Sequence, residues 1–202
     1  MKPHPIFARA WDAVVRLGGR TEQEHRRELI AGAHGRVLEF GAGTGLNLKM
    51  YPRGVTVLAM EPELTMARTA FRRARQAVAD VHVLRGSAEA MPFRDGTFDT
   101  AVACYVFCSI GDPRWAADEV RRVLRPDGLL LLYEHVRSTD PRAAEWQDRL
   151  TPVWRRIGAG CHPNRDTVRT LEAAGFEVEV RPASYGPPTP VRPHILGVAR
   201  PR

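Results

Sequence analysis

Ten residues, Arg36-Val-Leu-Glu-Phe-Gly-Ala-Gly-Thr-Gly45, have the composition of a buried strand feeding a ligand-binding turn. Val37, Leu38 and Phe40 supply the apolar strand. Gly41, Gly43 and Gly45 let the backbone turn sharply and approach a ligand where a Cβ would obstruct it. Glu61 closes a second apolar run, Val55 to Glu61. An acid at that distance beyond the glycines is placed to accept hydrogen bonds from ribose hydroxyls. The spacing Glu-x-Gly-x-Gly-x-Gly is tighter than the G-x-G-x-x-G of dinucleotide sites. Its leading acid, Glu39, would repel a pyrophosphate and attract an ammonium or sulfonium group.

S-adenosylmethionine carries both cationic groups together with a ribose and an adenine, so it is the expected cofactor ahead of a nicotinamide. Methyl transfer from a sulfonium needs alignment and water exclusion more than bond activation. No metal is needed for it, and metal-ligand spacing of His, Asp and Glu is absent along the chain. His135, directly after an apolar run and beside Glu134, is the general-base candidate, because imidazole titrates near neutral pH. The alternative for His135 is a local hydrogen bond that orders its loop. The three cysteines, Cys104, Cys108 and Cys161, form no C-x-x-C pair and argue against a disulfide framework or structural zinc. Cys104 is expected to point into the sheet, and Cys108 to be buried filler or part of a pocket wall.

These groups must be positioned by alternating strands and helices, the pattern of a parallel sheet. An amphipathic N-terminal helix carries Phe7, Trp11, Val14 and Val15, and a charged helix follows near Thr21–Ala31 with Thr21 as its cap. Further helices are expected at Leu46–Tyr51, Leu64–Val78, Trp115–Leu124 and Asp166–Ala174. Strands are expected at Val81–Leu84, Phe98–Phe107, Leu129–Tyr133, Phe176–Arg181 and His194–Ala199. Trp146, Leu150, Val153, Trp154 and Ile157 have helical spacing and read mainly as core, with one or two left to roof a pocket. A Pro-rich stretch, Pro187–Pro193, joins the last two strands.

The 202 residues, 44% hydrophobic and 26% charged, suit one domain, with residues 1–33 as N-terminal helices or lid and 34–202 as core. No apolar run approaches the roughly 18 residues of a membrane span. Trp11, Asp12 and Arg16 interrupt the N-terminal apolar positions, so no secretory signal is read and a cytoplasmic protein is expected. Peripheral membrane contact through Phe7 and Trp11 stays open. The net charge of +7 raises nucleic-acid binding. The arginines fall on helix faces without interleaved aromatics, so solvated surfaces are preferred and no nucleic-acid partner is expected.

Taken together, Glu39-Phe-Gly-Ala-Gly-Thr-Gly45, Glu61, Ser87-Ala-Glu-Ala-Met-Pro-Phe93 and Leu124-Arg-Pro-Asp-Gly128 resemble the class I S-adenosylmethionine-dependent methyltransferases. The last two motifs are typical of the branch that includes quinone-biosynthesis methyltransferases. The resemblance implies a Rossmann-like α/β fold with a seven-stranded sheet of order 3-2-1-4-5-7-6, the last strand antiparallel, and helices on both faces. Tyr133-Glu-His-Val136, Trp146, Pro152-x-Trp154, Gly160-Cys161, Ala174-Gly-Phe176 and Arg192-Pro-His-Ile-x-Gly197 are similar to the methyltransferase-like 7 group of alkyl-thiol S-methyltransferases. The first residues do not resemble the animal members' apolar N-terminal anchor, so no membrane anchoring is expected.

The donor site so implied takes Glu39, Gly41, Ala42, Gly43, Gly45 and Asn47 from the first loop, and Glu61 and Pro62 from the second strand's end. Ser87, Ala88 and Glu89 follow the third strand, with Glu89 or backbone atoms meeting the adenine where many relatives use an aspartate. Cys104 and Tyr105 end the fourth. His135 and Tyr105 are the catalytic candidates, and Phe7, Trp11, Phe107, His135, Trp146 and Trp154 the candidate acceptor pocket. The expected reaction is methylation of a small apolar acceptor, a thiol first. A phospholipid amine, a natural-product hydroxyl or amine, and a non-catalytic cofactor-binding role are the alternatives.

Overall fold

The computed structural model describes residues 19–158, 160–184, 189 and 191–202. The expected helix carrying Phe7 and Trp11, and most of the Pro-rich connection, lie outside the described residues. In chain order the elements are α1 (Gly19–Ala31), β1 (Arg36–Phe40), β2 (Thr56–Met60), α2 (Leu64–Ala74), β3 (Asp80–Leu84), β4 (Phe98–Cys104) and α3 (Pro113–Val123). Then follow β5 (Leu124–His135), α4 (Pro141–Ile157), α5 (Thr167–Ala173), β6 (Phe176–Pro182) and β7 (His194–Pro201).

The seven strands form one sheet in the order β3-β2-β1-β4-β5-β7-β6, as the resemblance implies. Strands β1 to β5 run parallel, and β7 lies antiparallel between β5 and β6. Strand order reverses between β1 and β4, and that reversal opens a crevice at their carboxyl ends. Side-chain alternation with period two splits the interior into two layers. Leu38, Phe40, Ala101, Leu130 and Leu132 face α3 and α5, where Val120, Val123 and Leu171 meet them. Val37, Val57, Val102 and Leu131 face the other way, against Leu29 and Ile30 of α1 and Ala70 of α2. All these central strands are buried on both faces, which is why they read as unbroken apolar runs.

Gly197 marks the tightest approach within the sheet, paired with Val180 of β6. A Cβ there would stand 2.1 Å from the Glu179 carbonyl oxygen, so the backbone of β6 itself must move. Gly197→Ala is expected to cost about 2–3 kcal/mol and lower Tm by about 4–10 °C. Calorimetry on the purified variant measures this directly, and an unchanged Tm would refute the contact.

Several boundaries differ from the sequence expectation. Residues 46–51 form successive turns rather than a helix, with Leu48 N–H bonded to Gly45 O at 3.3 Å and Met50 N–H to Asn47 O at 2.7 Å. The segment is too short before Pro52 to pay for helix nucleation, and it buries Leu48 and Tyr51 instead. Strand β4 stops at Cys104, not Phe107, because Tyr105 takes φ 61° and turns the chain. Thr21 lies inside α1, which already runs from Gly19. Helix α2 ends at Ala74, short of Val78, and gives way to three-residue turns at Gln76 and Ala77.

Helix α4 reverses its expected polarity. Its buried residues are Ala144, Gln147 and Thr151, whereas Trp146, Leu150, Val153 and Ile157 are exposed. Gln147 explains the choice. Its amide donates to Val136 O and Pro163 O, both at 3.0 Å, and its carbonyl accepts from Ser138 N–H at 2.8 Å. One buried amide thus ties α4 to the end of β5 and to the loop after the helix. Among the described residues no helix is long and apolar enough to cross a membrane.

Candidate active site

The carboxyl ends of β1, β2, β4 and β5 surround a cavity of about 350 Å³. Its floor is the glycine turn, welded to the second strand by Glu61. Gly43 N–H donates to Glu61 Oε2 at 2.9 Å, and Glu63 N–H donates to Oε1 at 2.9 Å. Each oxygen keeps an unused lone pair for a ribose hydroxyl. The three glycines divide their work. A Cβ on Gly41 would strike Val106 at 2.8 Å and one on Gly45 would meet the Ala70 backbone at 3.0 Å, so both are demanded by packing. At Gly43, with φ +57°, a Cβ would meet no atom of the described residues beyond its chain neighbours within 4 Å, and that space belongs to the cavity.

Glu39 stands at the cavity wall almost wholly buried. Its Oε1 accepts from Asn47 Nδ2 at 2.9 Å, and Asn47 Oδ1 accepts from Arg26 at 2.8 Å. Arg26 in turn pairs with Glu22. Burial pushes the Glu39 carboxyl up to about 7, against the Asn47 hydrogen bond and the charge of Arg26. The Tyr51 hydroxyl bonds the same carboxyl. A buried acid on the wall fits a ligand bearing an ammonium group.

Sequence reasoning missed Glu22 and Arg26, reading α1 only as a polar, charged helix. The signal was present in their four-residue spacing on the same stripe as Leu29 and Ile30.

Ser87, Ala88 and Glu89 line the opposite end beside Pro62. Ser87 Oγ donates to Glu89 Oε2 at 2.6 Å, and Glu89 Oε1 accepts from Asp112 N–H at 2.9 Å. These bonds hold the Glu89 carboxyl below its ordinary range. Glu89 therefore fastens the loop after β3 to the start of α3 as well as facing the cavity.

The remaining wall comes from the turn after β4 and from β5. Glu134 is fully buried, with Oε1 accepting from Val106 N–H at 2.6 Å and Phe107 N–H at 3.0 Å, and Oε2 from Cys108 N–H at 3.3 Å. Desolvation raises its carboxyl to about 7 against those three bonds. Tyr105, at φ 61° the only described non-glycine with positive φ, sets its ring 5.0 Å from that of His135. Such a conformation is strained for a bulky side chain and persists only where its surroundings enforce it. His135 stacks on His194, its partner across β5 and β7, with centroids 4.2 Å apart. Burial and the neighbouring His135 hold His194 down at about 3, so its imidazole is neutral.

His135 Nδ1 faces two sulfurs, Cys108 at 3.9 Å and Cys161 at 3.7 Å. The two thiols interact. Cys161 is pulled below the ordinary thiol range by Cys108 and His135, while Cys108 is pushed up by Cys161 and by burial.

The structure thus brings together on one cavity Glu39, Gly41, Ala42, Gly43, Asn47, Glu61, Pro62, Ser87, Ala88, Glu89, Cys104, Tyr105 and His135. Gly45 supports the turn from behind. Of the proposed acceptor pocket, Phe107 is core instead, fully buried and edge-on to Phe40 at 5.8 Å. Trp146 is 55% exposed and off the cavity wall, because α4 turns its Gln147 side inward. Trp154 is likewise off the wall, beside the Cys161 sulfur. Phe7 and Trp11 lie outside the described residues. Cys108 lines the cavity, the pocket-wall alternative of its sequence reading, and Cys161, 53 residues further on, joins it there through the fold alone.

Residues 38–132 match the methyltransferase domain family. Human thiol S-methyltransferase TMT1B is 35% identical over 195 residues, covering 89% of this chain and 80% of the relative. The chain belongs to the S-adenosylmethionine-dependent methyltransferases. Human thiol S-methyltransferase TMT1A is 32% identical, over 84% of this chain and 73% of its own length. A methyltransferase from Thermotoga maritima, described as a possible histamine N-methyltransferase, superposes with a TM-score of 0.71. The superposition covers 97% of this chain and 96% of that one at 22% identity, which speaks for the shared fold. S-adenosylmethionine is the methyltransferase's cofactor, and the non-catalytic alternative falls.

Glu39, on the cavity wall, is expected to give this enzyme a pH-dependent affinity for its cofactor. Its carboxyl is raised, so its contribution to stability is present below about 4.5 and is lost as pH rises through about 7. Cofactor binding runs the other way, since an ammonium favours the ionised carboxylate. Affinity is expected to be about fivefold weaker at pH 6 than at pH 7, with proton release on binding. Glu39→Gln should flatten that profile. Titration calorimetry in buffers of different ionisation enthalpy checks both, and a pH-independent wild type would refute the assignment.

Proposed function

We propose that the enzyme methylates the sulfur of a small apolar thiol. The observation that carries this reading is that, among the described residues, the acceptor end offers the His135 imidazole and no available carboxylate. Glu134, the acid behind that wall, directs both oxygens to three backbone N–H groups. An alcohol acceptor would need a stronger base than an imidazole, whereas a thiol, with pKa near ~8.5, is already partly ionised at neutral pH. The lining there, Tyr105, Val106, Cys108, Ile110 and Cys161, suits an apolar acceptor. The human relatives, thiol S-methyltransferases TMT1B and TMT1A, point the same way.

Bound S-adenosylmethionine supplies a methyl group already activated on a sulfonium. The chain's contribution is placement. Glu61, held by the Gly43 N–H, fixes the nucleoside half, Glu39 and Asn47 the amino-acid half, and Tyr105 with His135 narrows the passage through which the acceptor sulfur reaches the methyl. Phospholipid amines and natural-product hydroxyls are the rival acceptors, and small molecules rather than nucleic acid are the expected partners.

Formation of S-adenosylhomocysteine and methylated product, measured with matched alkyl thiols, amines and alcohols, tests the proposal. Saturable turnover is expected with the thiols alone. Turnover of amines or alcohols with no thiol product would overturn it.

A further inference from the structure

Three metal-ligand atoms converge where the cavity meets the acceptor wall. Cys108 Sγ, His135 Nδ1 and Cys161 Sγ all lie within 4.8 Å of one another, and all three residues are buried. A zinc ion bonded at ~2.3 Å to sulfur and ~2.0–2.1 Å to nitrogen spaces tetrahedral ligands at about 3.5 Å for S···N and about 3.8 Å for S···S. The S···N distances here, 3.9 and 3.7 Å, stand within a few tenths of an ångström of that frame.

The supports are rigid. Glu134 grips the backbone of the turn that carries Cys108. His162 N–H donates to Cys108 O at 2.6 Å, which ties the Cys161 loop to the same turn. The His135 ring is fixed between Tyr105 and His194. All three ligands also line the cavity, so the side away from the supports is open to a ligand.

We propose that Cys108, His135 and Cys161 form a three-ligand site for a zinc-class divalent cation, whose fourth position faces the cavity and takes the sulfur of the acceptor. Soft sulfur ligands and an imidazole select this class of ion, and three protein ligands with one open position mark a reactive rather than a structural site. The second half of the proposal rests on the thiol reading above. A coordinated thiol is deprotonated, and its proton leaves to water through the open cavity. The sulfur's electron pair then forms the new bond to the methyl carbon. The bond from that carbon to the sulfonium breaks, its pair stays on the departing sulfur, and nothing is oxidised or reduced. Two thiolates and one divalent cation sum to zero charge, which lowers the cost of burying them.

The test uses the full-length, reduced protein freed of metal by a chelator. Zinc is titrated against a chromophoric competitor, and cobalt(II) is added in parallel to read thiolate-to-metal absorption. One equivalent of zinc is expected to bind, and Cys108→Ser and Cys161→Ser are each expected to weaken it at least about 100-fold. Cys104→Ser should retain it. Circular dichroism and thermal unfolding of each variant establish that it is folded, and His135→Gln provides a third test of the same site without altering a cysteine. A small alkyl thiol is expected to shift the cobalt spectrum where the matching alcohol does not.

No uptake at micromolar free zinc, uptake unchanged in both serine variants, or a Cys108–Cys161 disulfide in place of uptake would overturn the site. Thiol turnover by metal-free protein would overturn it and leave the thiol reading intact. Zinc uptake without thiol turnover would support the site and overturn the thiol as its fourth ligand.

Discussion

Glu61→Ala is expected to weaken S-adenosylmethionine binding by about 100-fold or more while the protein stays folded. The carboxylate does two things at once. It offers a ribose two charged acceptors, each worth about 1.5–3 kcal/mol, which together correspond to roughly a hundredfold to ten-thousandfold in affinity. It also holds the glycine turn in place through the N–H groups of Gly43 and Glu63. Both losses fall on the binding site and neither on the two packed layers, because Glu61 lies just past the end of β2. Glu61→Gln separates the two roles, since an amide carbonyl can still accept one of the loop N–H groups but presents a donor to the other. Titration calorimetry with the cofactor, alongside circular dichroism, reads affinity and fold independently. An alanine variant within threefold of wild type would show that the ribose is held elsewhere.

How far the sequence alone reaches is set by how local each feature is. The glycine turn and Glu61 are legible because a strand, a turn and a second strand need particular residues at particular offsets, and the structure joins them through one bond, Gly43 N–H to Glu61. The sheet order follows from motif order and family resemblance. The features that stayed hidden are built from distant segments. Glu22 and Arg26 look like solvent-facing charges until Asn47 reaches them and connects them to Glu39. The apolar residues of α4 look like core until Gln147, a polar residue that no apolar pattern selects, turns the helix over. Cys108, His135 and Cys161 are unremarkable as a spacing, and only the packing of two turns against the end of β5 makes them neighbours. Periodicity reports which face of an element is apolar. It does not report where a single buried hydrogen-bonding side chain will overrule that face.

Loss of the Glu134 side chain should cost the fold heavily. Its neighbour His135 drew attention in the sequence, yet Glu134 holds the turn on which the acceptor wall depends. Removing the side chain in Glu134→Ala leaves the N–H groups of Val106, Phe107 and Cys108 without their acceptor in a buried place. An uncompensated buried donor costs about 1–3 kcal/mol, and water admitted through the cavity can satisfy some but not all three, so a loss of about 3–5 kcal/mol is expected. For a chain of this size that lowers Tm by about 6–15 °C. The damage should also spread to the cofactor, because Val106 packs directly against Gly41 at the mouth of the glycine turn. Glu134→Gln keeps a carbonyl for Val106 and Phe107 while turning an amide donor toward Cys108 N–H, and should cost about 1–2 kcal/mol. Denaturant unfolding of the two variants ranks them. If alanine proves no worse than glutamine, the three hydrogen bonds do not hold the turn, and the strained backbone of Tyr105 must be enforced by the packing of its ring alone.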